Sequence, residues 1–395
     1  MKNDQLMRLN TMLRSCVALV ISLINVSVQA VVPVPQVPDV ASSSYIVMDY
    51  ETGHIIAEKN SNTPLPPASL TKIMTSYVVA HELNQGNISL DDQVRVSEKA
   101  WAKNLPGASL MFIEVDKDVS VRDLLRGIIV SSGSDASVAI AEHIAGTEEA
   151  FADLMNLHAQ RLGMTESTFQ NSNGLPADDH FTSARDMALL SRALIKKYPE
   201  VYSEYAIKEF TFNGIKQYNR NRLLWDKSLN VDGIKTGHTE AAGYCLVSSA
   251  TNDGMRLITV VMGTASEAAR ARESKKLLNF GFRFYETVEP FKKSVPLHTE
   301  RVWMGEQENI ALGILDTHKI TLTKGQRKSL KAEFDIDERL IAPINKGQKV
   351  GTLYIKLEDK TLSQVPLVAL NDVPEAGWFS RLIDWFHLQI VKFFS

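Results

Sequence analysis

The sequence predicts an α/β (α+β) protein: an antiparallel sheet flanked by helices, then a small all-β domain, then a terminal amphipathic helix. Three observations carry this. Strand patterns at 43–53 and again after residue 230 enclose a helical middle, which implies one sheet closed by pairing between distant parts of the chain. Near Pro290 the pattern changes to short alternating runs. Residues 375–395 then crowd aromatic side chains among a few charges. With 395 residues, 44% of them hydrophobic, the chain can fill two cores, since single cores stop growing near roughly 250–300 residues. Lys+Arg 43 against Asp+Glu 46 gives −3, a balance that does not point to nucleic acid as a partner.

Taken in order, residues 1–30 read as a secretory signal. Lys2, Arg8 and Arg14 precede or open an apolar run over 16–28, and Val28-Gln29-Ala30 resembles a small-residue cleavage site, so the protein is expected to be exported. Ser22, Asn25 and Ser27 interrupt the run, which is short for a membrane span. Cys16 leaves with this segment, and Cys245 alone reads as a small buried hydrophobe. Pro33, Pro35 and Pro38 mark an extended linker.

Tyr45, Val47 and Asp49 alternate up to a turn at Glu51-Thr52-Gly53, and Ile55 and Ile56 resume, which predicts a β-hairpin. Helices are predicted over 70–83 and 121–130, the second with a Ser120/Asp123 capping box and a stripe of Leu124, Leu125, Ile128 and Ile129. Two more follow over 151–162 and 183–197, the latter opened by Ser183 and Asp186 and stopped before Pro199. Strands at 244–250 and 255–262 flank Asn252-Asp253-Gly254, and a helix at 267–278 packs behind them. The second domain shows Ile320 and Leu322, then Leu330, Ala332, Phe334 and Ile336, then Leu353, Ile355 and Leu357, with turns at Lys324-Gly325 and Lys346-Gly347. The expected division is a signal at 1–30, a first domain at 31–290, a β-rich domain at 291–374 and a helix at 375–395. That helix carries Trp378, Phe379, Trp385 and Phe386, but Arg381, Asp384, His387 and Lys392 also, so it fits a membrane interface better than a span.

The chemistry begins at Ser69-Leu70-Thr71-Lys72, where a three-residue spacing at a helix start sets a hydroxyl and an amine on one face. Partial burial would lower the amine's pKa until it can take the serine proton. Ser132-Gly133-Ser134 follows between two helices, and Lys235-Thr236-Gly237 on a strand. In order and spacing this set resembles the Ser-x-x-Lys, Ser-Asp-Asn and Lys-Thr-Gly signature of class A β-lactamases and penicillin-binding proteins. No His-Glu-x-x-His, phosphate loop or dinucleotide fingerprint occurs, and the nine His are scattered, so no metal or cofactor is expected.

The stretches Pro67-Ala68-Ser69-Leu70-Thr71-Lys72, Ser132-Gly133-Ser134-Asp135-Ala136 and Asp232-Gly233-Ile234-Lys235-Thr236-Gly237-His238-Thr239 resemble the motifs of the low-molecular-mass penicillin-binding D-alanyl-D-alanine carboxypeptidases. The resemblance extends over the β-rich domain and the tail. It implies a DD-peptidase/β-lactamase-like first domain that trims the terminal D-Ala from peptidoglycan stem pentapeptides and is acylated by β-lactam antibiotics. Ser69 would be the nucleophile, Lys72 its general base and Ser132 a proton relay. Lys235 would serve Ser132 and the substrate carboxylate, with Thr236 and His238 beside the substrate. The backbone N–H groups of Ser69 and His238 would form the oxyanion hole. Arg220 and Arg270 match arginines that support substrate or the Lys-Thr-Gly strand, and His180 would assist deacylation from a loop facing the cleft. The resemblance also implies a place on the periplasmic face of a bacterial inner membrane, held peripherally by the terminal helix.

One position departs from the family. Its second motif normally ends in Asn, and Ser134 supplies only a hydroxyl, so a weaker or water-mediated link to Lys72 is expected. A D,D-endopeptidase with the same motifs, or a catalytically weak wall-binding paralogue, are the alternatives. A class A β-lactamase would need a Glu and Asn pair downstream of the second motif, and Glu82-Leu83-Asn84 lies upstream.

Overall fold

The computed structural model describes residues 34–337 and 339–394. The expected export signal lies outside the described residues. The hairpin is formed by β1 (Ser44–Asp49) and β2 (Ile55–Lys59). The middle holds α1 (Thr71–Gln85), α2 (Val121–Arg126), α3 (Ser134–Ala145), α4 (Glu148–Leu162) and α5 (Ala184–Lys197). Then come β3 (Asn230–Thr239), β4 (Gly243–Asn252), β5 (Met255–Thr264) and α6 (Glu267–Phe284). The strands make one antiparallel sheet in the order β2-β1-β5-β4-β3, closed where Ser44 pairs with Met262. Asp253 and Gly254 take φ of +47° and +80°, as the two-residue turn between β4 and β5 requires.

Although its text alternates, β1 is buried along its whole length. α6 covers one face so closely that a Cβ on Gly281 would meet Leu257 at 2.4 Å. The helical middle covers the other, where Ile46, Met48, Ile258 and Val260 share a core with Met74, Tyr77, Leu124 and Leu194. α4 starts at Glu148, earlier than its apolar stripe, because Thr147 caps it. The helix predicted over 121–130 stops at Arg126, and Gly127–Ser131 widen into a π turn. A Cβ on Gly127 would lie 2.2 Å from Met111 Sδ, so glycine allows the segment before the second motif to press against this turn.

The second domain comprises β6 (Tyr285–Phe291), β7 (His298–Trp303), β8 (Asn309–Gly313), β9 (His318–Thr323), β10 (Leu330–Ile336), β11 (Leu340–Ile341), β12 (Lys349–Leu357) and β13 (Lys360–Ala369). Its six-stranded sheet runs β10-β12-β13-β8-β7-β11, and β6 pairs with β9. Because β6 follows α6 without a linker, the 290/291 boundary falls inside a strand. Asp49 ties the domains together: its Oδ2 accepts from Thr287 Oγ1 at 2.6 Å and Thr321 Oγ1 at 2.7 Å.

After β13 the chain stays attached, with the Ala376 N–H donating to the Met304 carbonyl at 2.9 Å. The terminal helix α7 (Trp378–Phe394) therefore begins past residue 375. It meets the domain through Leu388 and through Asp384, whose Oδ2 accepts from the Met304 N–H at 2.6 Å. Trp378, Phe379, Leu382, Ile383, Trp385, Phe386 and Ile390 are exposed. Among the described residues no helix is long and apolar enough to cross a membrane.

Candidate active site

Pro66 and Pro67 lead into a 3-10 turn, Ala68–Leu70, that runs directly into α1. Ser69 and Lys72 are thereby one turn apart, and Lys72 Nζ donates to Ser69 Oγ at 3.3 Å. The strand β3 lies at the sheet edge beside this turn, with Lys235 and Thr236 buried. A Cβ on Gly237 would stand 3.0 Å from the Pro67 carbonyl, so the glycine of Lys-Thr-Gly is what lets strand and turn approach.

The second motif comes from the end of the π turn. Ser132 adopts φ +60° and Ser134 opens α3. Asp135 anchors the segment before it: its carboxylate accepts from the N–H groups of Met111 at 2.8 Å, Phe112 at 2.8 Å and Ile113 at 3.2 Å. Ser134 Oγ accepts from Lys72 Nζ at 3.2 Å. The link to Lys72 expected to be weak or water-mediated is thus direct, because the short side chain sits on a helix start that faces α1. Among the described residues no hydrogen bond joins Ser132 to Lys72 or Lys235, and Lys235 Nζ donates to the Thr236 carbonyl at 3.3 Å.

A third wall is not visible as a motif. Lys72 Nζ donates to the Asn173 carbonyl at 2.5 Å. Gly174, at φ +85°, packs so tightly that a Cβ would lie 1.9 Å from the Ala68 carbonyl oxygen. The turn-forming run Asn171-Ser172-Asn173-Gly174 was the available signal.

The cleft is cationic. Burial, then Arg220, pull Lys72 down to about 7, against Asp135 and Glu148. Burial and the neighbouring Lys72, Arg220 and Arg270 hold Lys235 well below the usual lysine range. Arg220 donates to Ser109 Oγ at 2.7 Å. Arg270 is buried and donates to the Gly237 carbonyl at 3.3 Å, so it braces the strand. His238 is exposed and stacks on Tyr244 with ring centres 3.9 Å apart. His180 borders a small pocket beside Ala68, Gly174 and Thr239, yet it is only 3% exposed: its Nδ1 accepts from the Gln170 N–H and its Nε2 meets Thr71 Oγ1 at 2.9 Å. Burial lowers its pKa to about 4, so the neutral ring is a prop under α1. Cys245 is buried, with its thiol pushed up to about 11.

A serine hydroxyl against a buried amine of near-neutral pKa, under a cluster of cations, defines a serine acyl-transfer enzyme. The chain belongs to the D-alanyl-D-alanine carboxypeptidase family, peptidase S11, and is a serine peptidase: the family model matches residues 31–266. The model of the penicillin-binding protein 5 C-terminal domain matches residues 285–375. The chain is 47% identical to D-alanyl-D-alanine carboxypeptidase DacC of Escherichia coli over 364 residues, covering 91% of each. Against DacF of Bacillus subtilis it is 37% identical, covering 86% of this chain and 88% of the relative. Penicillin-binding protein 5 of Haemophilus influenzae superposes with a TM-score of 0.81 at 45% identity, covering 86% of this chain and 99% of that one. The cefotaxime-bound penicillin-binding protein D2 of Listeria monocytogenes matches with a TM-score of 0.57 at 30% identity, covering 62% and 98%.

Proposed function

We propose that this protein removes the terminal D-Ala from peptidoglycan stem pentapeptides through an acyl-enzyme on Ser69, and that β-lactams acylate the same oxygen. The carrying observation is Lys72: it is held by Ser69, Ser134 and the Asn173 carbonyl, and burial lowers its pKa to about 7, which brings the neutral base within reach at neutral pH. Lys72 takes the Ser69 proton as Oγ attacks the penultimate D-Ala carbonyl. The backbone N–H groups of Ser69 and His238 receive the developing oxyanion, D-Ala leaves protonated, and water frees the acyl group. The substrate's terminal carboxylate suits the cation cluster of Lys235, Arg220 and Arg270, and Ser132 relays the proton to the leaving amine. Export through the segment 1–30, and attachment of α7 to the periplasmic face of a bacterial inner membrane, complete the reading. The outward aromatic face of α7 supports the latter.

The test is D-Ala release from diacetyl-Lys-D-Ala-D-Ala, with mass spectrometry after exposure to penicillin. Ser69→Ala abolishes release and labelling. Lys72→Ala folds but acylates roughly 10²–10⁴-fold more slowly. A penicillin adduct on any other serine overturns the reading.

A further inference from the structure

Glu148, the first residue of α4, is 7% exposed, yet its carboxylate does not cap its own helix, since Thr147 accepts from the Ala150 N–H. Its Oε1 turns instead to the loop of the third wall. It accepts from the Ser172 N–H at 3.1 Å, Ser172 Oγ at 2.7 Å and Asn173 Nδ2 at 3.0 Å. Its Oε2 meets Lys99 Nζ at 3.2 Å, on a side chain 45% exposed. The two carbonyls of the dipeptide so gripped both point onto α1. That of Ser172 accepts from Thr75 Oγ1 at 2.5 Å, and that of Asn173 from Lys72 Nζ at 2.5 Å. Thr75 and Lys72 are three residues apart, on one helix face. A buried carboxylate is costly unless its partners satisfy it, and here every partner but Lys99 belongs to the dipeptide that seats Lys72.

We propose that Glu148 is a positioning residue for Lys72: it grips Ser172 and Asn173 so that the Asn173 carbonyl meets the lysine amine. The inference rests on the reading of Lys72 as the base. The charged groups facing Lys72 are Arg220, Lys235 on β3, Asp135 on α3 and Glu148 on α4. Arg220 favours the neutral amine and the two carboxylates the ammonium. Asp135 spends its hydrogen bonds on backbone N–H groups, whereas Glu148 adds to its charge a grip on the loop whose carbonyl meets the amine.

Glu148→Gln keeps the shape and an acceptor oxygen but removes the charge. The test follows Lys72 by NMR of ¹³Cε-lysine, assigned by the signal lost in Lys72→Arg, alongside the pH profile of penicillin acylation. In Glu148→Gln the Lys72 midpoint and the acidic limb of acylation both move to lower pH. For a shift of about half to one unit, the variant near pH 5.5 keeps roughly three- to tenfold more of its plateau rate than the wild type does. Asn173→Ala removes one of the loop's three contacts with Glu148 and keeps the carbonyl, so it lowers the plateau several-fold while the two Ser172 contacts remain. Lys99→Ala lies at the surface and leaves the core intact; with Glu148 less neutralised, the midpoint moves to higher pH. Unmoved midpoints in Glu148→Gln and Lys99→Ala, or a uniform loss of rate at every pH, overturn the inference. If the midpoints move while wild-type protein is never labelled at Ser69, the positioning stands and the peptidase reading fails.

Discussion

Ser134 occupies the position where the family's motif ends in Asn, and its hydroxyl still reaches Lys72 at 3.2 Å. The contact that holds the base is therefore retained; the hydroxyl keeps one O–H to donate, but it lacks the NH2 group that a longer Asn side chain would extend to a substrate carbonyl while its oxygen accepts from Lys72. Ser134→Asn is expected to restore that donor. A hydrogen bond of about 1 kcal/mol made in the transition state corresponds to roughly a fivefold rise in acylation or peptide turnover. Stopped-flow acylation by a fluorescent penicillin measures it. A fall in both rates would show that the loop has adapted to serine, since residue 134 is nearly buried and a larger side chain must find room there.

At the scale of elements, the site is made where three pieces of backbone touch: the 3-10 turn of Ser69, the edge of β3 and the loop carrying Asn173. Two glycines permit the contact, and Gly174 is the less forgiving. Its φ of +85° and the 1.9 Å separation from the Ala68 carbonyl mean that a methyl group must displace either the Ser69 turn or the Asn173 carbonyl. Gly174→Ala is expected to cost about 1–3 kcal/mol of stability in thermal unfolding. Acylation should slow by roughly tenfold or more, because Ser69 and Lys72 lose their alignment. A variant with wild-type stability and rate would mean that the loop yields freely.

Across the whole molecule, Asp49 joins the domains and the tail turns outward from the second. α7 offers the domain Asp384 and Leu388 and leaves Trp378 78% exposed and Phe379 61% exposed, the reverse of a helix completing a core. Moving each large apolar side chain from water into a membrane interface gains about 1.5–3 kcal/mol, more than the mixed charges of the segment could add. Truncation after Gly377 spares the pairing of Ala376 with Met304. It should yield a soluble protein with unchanged activity on a small peptide, while high salt leaves the full-length chain on membranes. Truncated protein that still sediments with membranes, or full-length protein released by salt alone, would reverse this expectation.

Ser69, Lys72, Ser132 and Lys235 are legible in the sequence because local spacing and chain order mark them, and so is the sheet, whose strands announce themselves by turns such as Asp253-Gly254. The outward aromatic residues of the tail are likewise a matter of composition. Other features only the tertiary structure decides, because they depend on approach between segments distant in sequence. Nothing in the sequence marks what Asp135 and Glu148 hold until Met111 and Ser172 are brought to them. Asp49 reads as the end of a strand until Thr287 and Thr321 fold against it. The pKa of Lys72 belongs to the same class: no spacing encodes it, since burial sets it, and burial exists only once α1, α3, β3 and the Asn173 loop have closed.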